Sequence, residues 1–336
     1  EEFHYHIGTS VAEKIPAALR RMGFEHVFDT NFGADLTIVE EANELVERLK
    51  EGKNLPLITS CCPGWINLIE KRFPELLHLP SSCKSPHEMF GAIAKSYFAK
   101  MKGYDPKDVV AVSIMPCTAK KDEMNREQLM NFGLKDVDYV LTTREFARMI
   151  KETGINFDDL PVEKFDDPMG ESTGGADIFG NSGGVMEAAI RTAKYWLDGK
   201  CEDLEIKAIR GLEGIKVGEV KIGGKVLRAC VASGLGNAQK VLEQIKSGEE
   251  HYDVIEIMAC PGGCVNGGGQ PIQPKKLSNT LVKARQQALY NEDRRKLRRI
   301  SAENKSIIKL YDEYLEEFGS HKAHELLHTT FASRKR

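Results

Sequence analysis

The chain has 336 residues, enough to bury roughly three quarters of the surface its unfolded form exposes, in one large core or two of medium size. Its 47 basic and 50 acidic residues nearly cancel, which gives no ground for a nucleic-acid or anionic-membrane partner. No apolar run approaches the roughly 18 residues of a spanning helix, and the opening Glu1-Glu2-Phe3 is neither an initiator methionine nor a signal peptide, so the start is expected to be internal to a longer product.

Residues 11–24 (V-A-E-K-I-P-A-A-L-R-R-M-G-F) read as a helix closed by Gly23. A firmer helix spans 36–50, with Ile38, Ala42, Leu45, Val46 and Leu49 on one face at helical spacing. Glu41, Glu44 and Arg48 follow at i, i+3 and i+7 along its edge, and periodicity alone makes them a surface stripe in which Glu44 and Arg48 can pair. Residues 55–60 (L-P-L-I-T-S) form a short buried strand that runs straight into Cys61-Cys62-Pro63-Gly64-Trp65. Trp65 opens another helix, W-I-N-L-I-E-K-R-F, closed by Pro74. A second strand, 109–115, also ends in a thiol: Pro116-Cys117-Thr118-Ala119-Lys120-Lys121-Asp122-Glu123. Both read as parallel strands of an α/β sheet delivering residues at their carboxyl ends, where such sheets place sites. A further strand begins at 139–142 and leads to a helix through Ile150. Residues 152–184, rich in Gly, Asp and Pro, read as loop and end F-G-N-S-G-G; 185–197 is helical; 206–233 alternates like strands joined by glycine turns. A β-type run over 252–258 then leads into Cys260-Pro261-Gly262-Gly263-Cys264-Val265-Asn266-Gly267-Gly268-Gly269-Gln270-Pro271. After Pro274 the texture changes, and 279–328 is charged and helical with no strand signal.

The eight cysteines are Cys61, Cys62, Cys83, Cys117, Cys201, Cys230, Cys260 and Cys264. A chain this long and this apolar does not need disulfide staples, and adjacent Cys61-Cys62 suits no ordinary disulfide framework. Reduced thiols, some of them ligands, fit better; zinc stays open, although no C-x₂-C pair is present and no histidines lie nearby in sequence. In the loop after 258 the glycines let the backbone bend sharply and come close to a bulky object, and they leave bare N–H groups of the kind that tune cluster sulfurs. A flexible loop with two incidental cysteines is the plainer alternative. Cys62, Cys117, Cys260 and Cys264 thus come from three strand-end loops, a convergence compatible with a cubane [4Fe–4S] cluster, though spacing alone does not prove it.

T-S-C-C-P-G-W at 59–65, M-P-C-T-A-K-K-D-E at 115–123 and M-A-C-P-G-G-C-V-N-G-G-G-Q-P at 258–271 resemble the three signature loops of the iron-only ([FeFe]) hydrogenases, in order and essentially complete. The resemblance extends over nearly the whole chain, through G-A-D-L-T-I-V-E-E-A, S-S-C-K-S-P and F-G-N-S-G-G-V-M-E-A-A-I-R. It implies an H-cluster: a [4Fe–4S] cubane joined through a cysteine sulfur to a two-iron unit carrying CO, cyanide and a bridging azadithiolate. By position Cys62, Cys117, Cys260 and Cys264 hold the cubane, Cys264 as the bridge. Lys120 would donate to a cyanide, Met115 and Met258 would pack against the two-iron unit with Pro116 beside them, and Phe179 would close the pocket. Without the resemblance the two methionines are ordinary core filling. Cys61 corresponds to a free thiol that passes protons, a task its pKa suits better than a serine hydroxyl would. Glu41, Ser81, Glu44 and Arg48 would continue that route to solvent, turning the stripe from decoration into a relay.

The resemblance further implies an α/β fold of two lobes, each a mainly parallel twisted sheet flanked by helices, with the cluster between them. Residues 1–136 would make the first lobe, 137–275 the second, and 276–336 a helical segment like the family's small subunit. It also implies H₂ and protons as reactants, a ferredoxin or accessory iron–sulfur domain or subunit as electron carrier, maturation proteins for the two-iron unit, and a cytoplasmic location. Two departures stand out. No ferredoxin-type cysteine pattern occurs, and the apolar strand that the family places just upstream of this start, with its Ala-Pro contact to a cyanide, is missing. A preceding segment is therefore expected to complete the first lobe. Iron–sulfur assembly proteins and sensory homologues are the rivals; the former would not be expected to keep Cys61, Lys120 and the whole stripe. Cys83, Cys201 and Cys230 read as small buried hydrophobes. The run Arg294, Arg295, Lys296, Arg298 and Arg299 reads as a solvated helix face in preference to a dock for an acidic carrier, and His324 with His328 as packing or capping residues in preference to ligands.

Overall fold

The computed structural model describes residues 1–272 and 278–334. After one 3-10 turn, α1 (Ile15–Arg21) is shorter at both ends than the helix expected over 11–24, with Pro16 in its first turn, where a missing N–H costs nothing. α2 (Thr30–Glu51) begins earlier than its apolar spacing implied, because the Asp29 carboxylate caps it, accepting from the Asn31 N–H at 3.0 Å. Its 22 residues make a rod about 33 Å long. β1 (Leu57–Ile58) is only two residues long, and α3 (Pro63–Arg72) starts two residues before Trp65. α4 (Pro86–Ile93), continued by a π turn over Ala94–Phe98 and α5 (Ala99–Lys102), is not among the elements read from the sequence. β2 (Val112–Met115), α6 (Lys120–Glu123), a ribbon of β3 (Met130–Asn131) and β4 (Leu134–Lys135), and β5 (Tyr139–Thr142) follow. α7 (Thr143–Glu152) opens on a reciprocal capping box between Thr142 and Glu145. The stretch expected to be loop to residue 184 contains α8 (Gly174–Asp177) and a 3-10 turn over Ile178–Gly180. Then come α9 (Gly184–Asp198), the hairpin β6 (Ile215–Ile222) and β7 (Lys225–Ser233), α10 (Leu235–Ser247), unforeseen, and β8 (Val254–Met258). The C-terminal part is α11 (Ser278–Arg295), α12 (Lys305–Leu310) with a π turn over Tyr311–Leu315, and α13 (His321–Leu327). The expected boundary between 275 and 276 lies outside the described residues.

Two sheets organise the α/β architecture. The larger runs β1-β8-β7-β6, parallel except for β6, and the smaller is the parallel pair β2-β5. Every residue of β8 is buried, as expected of a strand covered on both faces. One face carries α3 and α10 through Trp65, Ile69, Val241 and Leu242; the other carries α2 and α9 through Leu45, Met186 and Ile190. Strand pairing crosses the boundary expected after residue 136. β1 lies beside β8, and β2 beside β5, so each sequence half supplies strands to both sheets.

The C-terminal helices share a core with the rest. Ile307, Leu310, Tyr311, Leu315, Leu326 and Leu327 pack in one cluster with Phe32, Leu36, Val39, Met89 and Ile93 of α2 and α4. A buried ion network reinforces the join: Arg191 of α9, fully buried, bonds Asp293 of α11 at 2.9 and 3.0 Å and Glu187 at 2.6 Å. The basic run is exposed at Arg294 and Arg295 and half-buried at Lys296, Arg298 and Arg299, and each member has a partner. Arg294 pairs with Glu205, Arg298 with Glu171, Arg299 with Asp293, Arg295 with Glu292, and Lys296 bonds Ser172.

Candidate functional site

Three parallel strands end on one place. β1 runs on to Cys61 and Cys62, β2 to Cys117, and β8 to Cys260 and Cys264, so thiols from both sheets meet. All eight cysteines are free. Burial pushes the Cys62, Cys260 and Cys264 thiols up, Cys260 to about 11, and Cys117 is close enough to all three to add charge repulsion. Backbone amides oppose this: Ala259 N–H donates to Cys62 Sγ at 3.4 Å, and Gly268 N–H favours the charged Cys260. As thiolates the four would repel one another, and a shared cation is what would let them ionise together in so dry a site. The third loop can approach that centre only because it has no side chains there. A Cβ on Gly267 would lie 2.1 Å from the Pro116 carbonyl oxygen, and Gly263 holds φ +103° with its absent Cβ 2.5 Å from the Ser182 nitrogen. Gly269 N–H also donates to Pro116 O at 2.9 Å, locking the loop to the end of β2, where Met115, Pro116 and Cys117 are half-buried.

Cys61, beside Cys62 and Cys264, sits in a small apolar cluster with Ile38, Val185, Ala188, Ala189 and Met258, against which Phe179 packs. It is 8% exposed, and burial first, then nearby Glu41, pushes its thiol well above the ordinary range. Lys120 Nζ donates to the Cys61 carbonyl at 3.0 Å and to Glu123 at 2.6 Å. Burial alone would lower the lysine's pKa; Glu123 more than offsets that and keeps the ammonium charged.

The edge of α2 is not a surface stripe. Glu41 is 1% exposed and neither of its carboxylate oxygens has a hydrogen-bond partner; the Ser60 N–H and Ser81 hydroxyl are near enough to ease its charge without bonding. Burial, then Glu44, raises it to about 8, so it carries a proton at neutral pH. The Ser81 hydroxyl donates to Glu44 at 2.7 Å, and Arg48 donates to Glu44 at 2.6 Å and to the Leu79 and Pro80 carbonyls at 2.8 and 3.0 Å. From Cys61 to Arg48 the sequence-predicted residues therefore run from three buried members, Cys61, Glu41 and Ser81, to the half-buried pair Glu44 and Arg48.

The description "Iron only hydrogenase large subunit, C-terminal domain" matches residues 1–268, and "Iron hydrogenase small subunit" matches 279–334. The chain belongs to the iron-only hydrogenase family. It is 48% identical to the NADP-reducing hydrogenase subunit HndD of Solidesulfovibrio fructosivorans over 98% of its own length and 57% of that protein's. The chain thus spans little more than half of that relative. It superposes on an [FeFe]-hydrogenase from Chlamydomonas reinhardtii with a TM-score of 0.87 at 43% identity, covering 99% of this chain and 90% of that one. It is also 34% identical to a cytosolic Fe-S cluster assembly factor of Xenopus tropicalis, over 95% of this chain and 69% of that protein.

Within this hydrogenase-family frame, two positioning residues escaped the sequence reading. Glu123 accepts from Lys120, from Ser85 at 3.0 Å and from His87 at 2.7 Å, a buried anion hub. Glu256 sits inside the apolar run of β8 and accepts from the Gly183 and Met186 N–H groups at 2.6 and 3.0 Å, tying the F-G-N-S-G-G loop and the start of α9 to the sheet. Its signal was legible: a charge in the middle of V-I-E-I-M has to be paired. Cys83 and Cys230 are buried as expected, whereas Cys201 is only half-buried and donates to the Asp203 carbonyl at 3.8 Å.

Proposed function

We propose that this chain is the catalytic domain of an iron-only hydrogenase, interconverting 2 H⁺ + 2 e⁻ and H₂. The observation that carries it is a buried thiol, Cys61, beside a buried carboxyl without a hydrogen-bond partner, Glu41, next to four half-buried thiols from three strand ends. The residues present fit an H-cluster: four soft donors with amides aimed at sulfur, a glycine cradle that a side chain would fill, and one retained ammonium. Cys62, Cys117, Cys260 and Cys264 would hold the cubane, with Lys120, Met115, Pro116, Met258 and Phe179 around the two-iron unit. That unit, with its CO, cyanide and azadithiolate, supplies the redox centre. The chain itself supplies the proton path. Cys61 holds a proton at Sγ, Glu41 exchanges it, the Ser81 hydroxyl passes it on, and Glu44 with Arg48 trades it with solvent. Phe179 and the apolar pocket keep bulk water from short-circuiting the route.

Two lobes, one on each sheet with the cluster between them, belong to this reading, as do a ferredoxin-type electron carrier, separate maturation proteins and a cytoplasmic setting that keeps the thiols reduced. No helix among the described residues is long and apolar enough to cross a membrane. A cavity of about 600 Å³ runs along residues 109–114, lined by Leu19, Phe28, Phe90, Phe146 and Phe165, and β2 pairs among the described residues with β5 alone. We take this groove as the seat of a strand from outside residues 1–336. A longer form should protect the amides of 109–114 from hydrogen exchange, and equal exchange in both forms would rule the strand out. The rival reading, an assembly factor, has no use for a proton-holding thiol backed by a neutral glutamic acid. Infrared spectroscopy of matured protein decides: CO and cyanide stretching bands are expected, and their absence would remove the two-iron unit. Cys117→Ala should lose iron; undiminished iron there would overturn the ligand assignment.

A further inference from the structure

Where the Glu41–Ser81–Glu44 stripe nears solvent, three side chains of different donor type come together. Glu44 of α2, Cys83 of the loop after Ser81 and His328 at the end of α13 each bring a ligand atom, and these atoms lie within 4.8 Å of one another. Cys83 Sγ is 3.9 Å from Glu44 Oε2. His328 is held in the manner of a metal-bound histidine: Nε2 lies 2.9 Å from a Glu40 carboxylate oxygen, which leaves Nδ1, 2.8 Å from the Ser82 hydroxyl, as the nitrogen with a lone pair to give. Glu40 is itself fixed, accepting from the Tyr311 hydroxyl and, at 3.2 Å, from Gly319 N–H. The His324 ring packs against His328, tilted by 31° with 4.0 Å between centres, which braces the imidazole as well. Carboxylates surround the three atoms: Glu40 bonds His328, and Glu44, itself one of the three, is paired among the described residues with Arg48. A thiolate, an imidazole and a carboxylate leave a fourth position for water, the set that suits zinc and cadmium and that magnesium, which prefers oxygen alone, does not use.

We infer that Glu44, Cys83 and His328 form an inhibitory site for a thiophilic divalent cation, Zn²⁺ or Cd²⁺, at the outer end of the proton path. Binding displaces the thiol proton of Cys83 to solvent and ties the Glu44 carboxylate to the ion, so that it no longer accepts from Ser81. The inhibition, though not the binding, rests on the relay reading given above.

The test is calorimetric titration of the matured enzyme with zinc chloride, in parallel with H₂ evolution driven by a chemical reductant. The parent should take up one more zinc than Cys83→Ala or His328→Gln, and its turnover should fall on the order of 100-fold at saturation and recover on chelation. Both variants should evolve H₂ like the parent without zinc and keep that rate with it. Glu40→Gln should weaken zinc binding by roughly 10–100-fold. Equal zinc uptake by the parent and both variants would overturn the site, as would magnesium inhibiting as well as zinc. Uptake that the variants abolish, with turnover untouched, would uphold the site and refute proton exit through Glu44.

Discussion

Glu41 and Glu123 are both buried close to Cys61, at 1% and 6% exposure, yet the surroundings drive them in opposite directions. Burial raises both. Glu41 has no donor to answer it and faces a second carboxylate, Glu44, so it climbs to about 8. Glu123 receives Lys120, His87 and Ser85, and Lys120 with His87 outweighs burial and holds it down at about 2. Burial sets the size of what is at stake; the partners set its sign. A glutamate left without partners can gain and lose a proton near neutrality and so can carry one. A glutamate with three donors is a fixed anion, and its service is to keep Lys120 charged and in place.

The largest expected effect comes from emptying the proton-carrying side. Cys61→Ala and Glu41→Gln should each lower H₂ turnover on the order of 10²–10⁴-fold with the iron content unchanged. A rate within a few-fold of the parent in either variant would remove the distinction between the two glutamates.

Next comes the fixed side. Glu123→Gln leaves Lys120 without its buried counter-ion, and unfolding in denaturant should show a loss of about 3–5 kcal/mol. A loss near zero would mean that Lys120 finds another anion, and the hub assignment would fail.

A smaller effect separates the pair by pH. Glu41 is raised above its unfolded value, so the stability it contributes is full below about pH 4.5 and is lost as pH rises through about 8. Glu123 is depressed, so its contribution is present above about pH 4.5 and is lost as pH falls through about 2. Denaturation of the parent between about pH 5 and pH 9 should show stability declining by a few kcal/mol, and Glu41→Gln should flatten that decline. An unchanged slope would place the titration elsewhere. The smallest effect is a control: Cys201→Ala, half-buried and away from the thiol cluster, should change neither iron nor turnover, and stability by less than about 0.5 kcal/mol.

The three thiol loops were legible in the sequence because strand, cysteine and glycine are adjacent along the chain, and local order is what a strand end imposes. The F-G-N-S-G-G loop and the helix after it were legible for the same reason. The stripe Glu41, Glu44, Arg48 was visible as spacing but its burial was not. Periodicity gives one apolar face, whereas α2 is enclosed by α4 on one side, α9 on another and the C-terminal helices on a third, so its polar edge is inside as well. Glu123 could not be read at all, since its partners Ser85 and His87 lie nearly forty residues away and meet it only when α4 packs beside α6.

By itself the sequence determined which residues are thiols, where each strand must stop and which backbone positions must be bare, all of them properties of neighbours along the chain. Tertiary structure decided the rest: that β1 joins the sheet of β8 while β2 joins β5, so that thiols of separate loops converge; that Asp293 of α11 meets the buried Arg191 of α9; and that one buried glutamate is left neutral while another is pinned as an anion. The reason is physical. Hydrogen-bond partners and desolvation come from residues distant in the chain, and a side chain's charge state is a property of its surroundings.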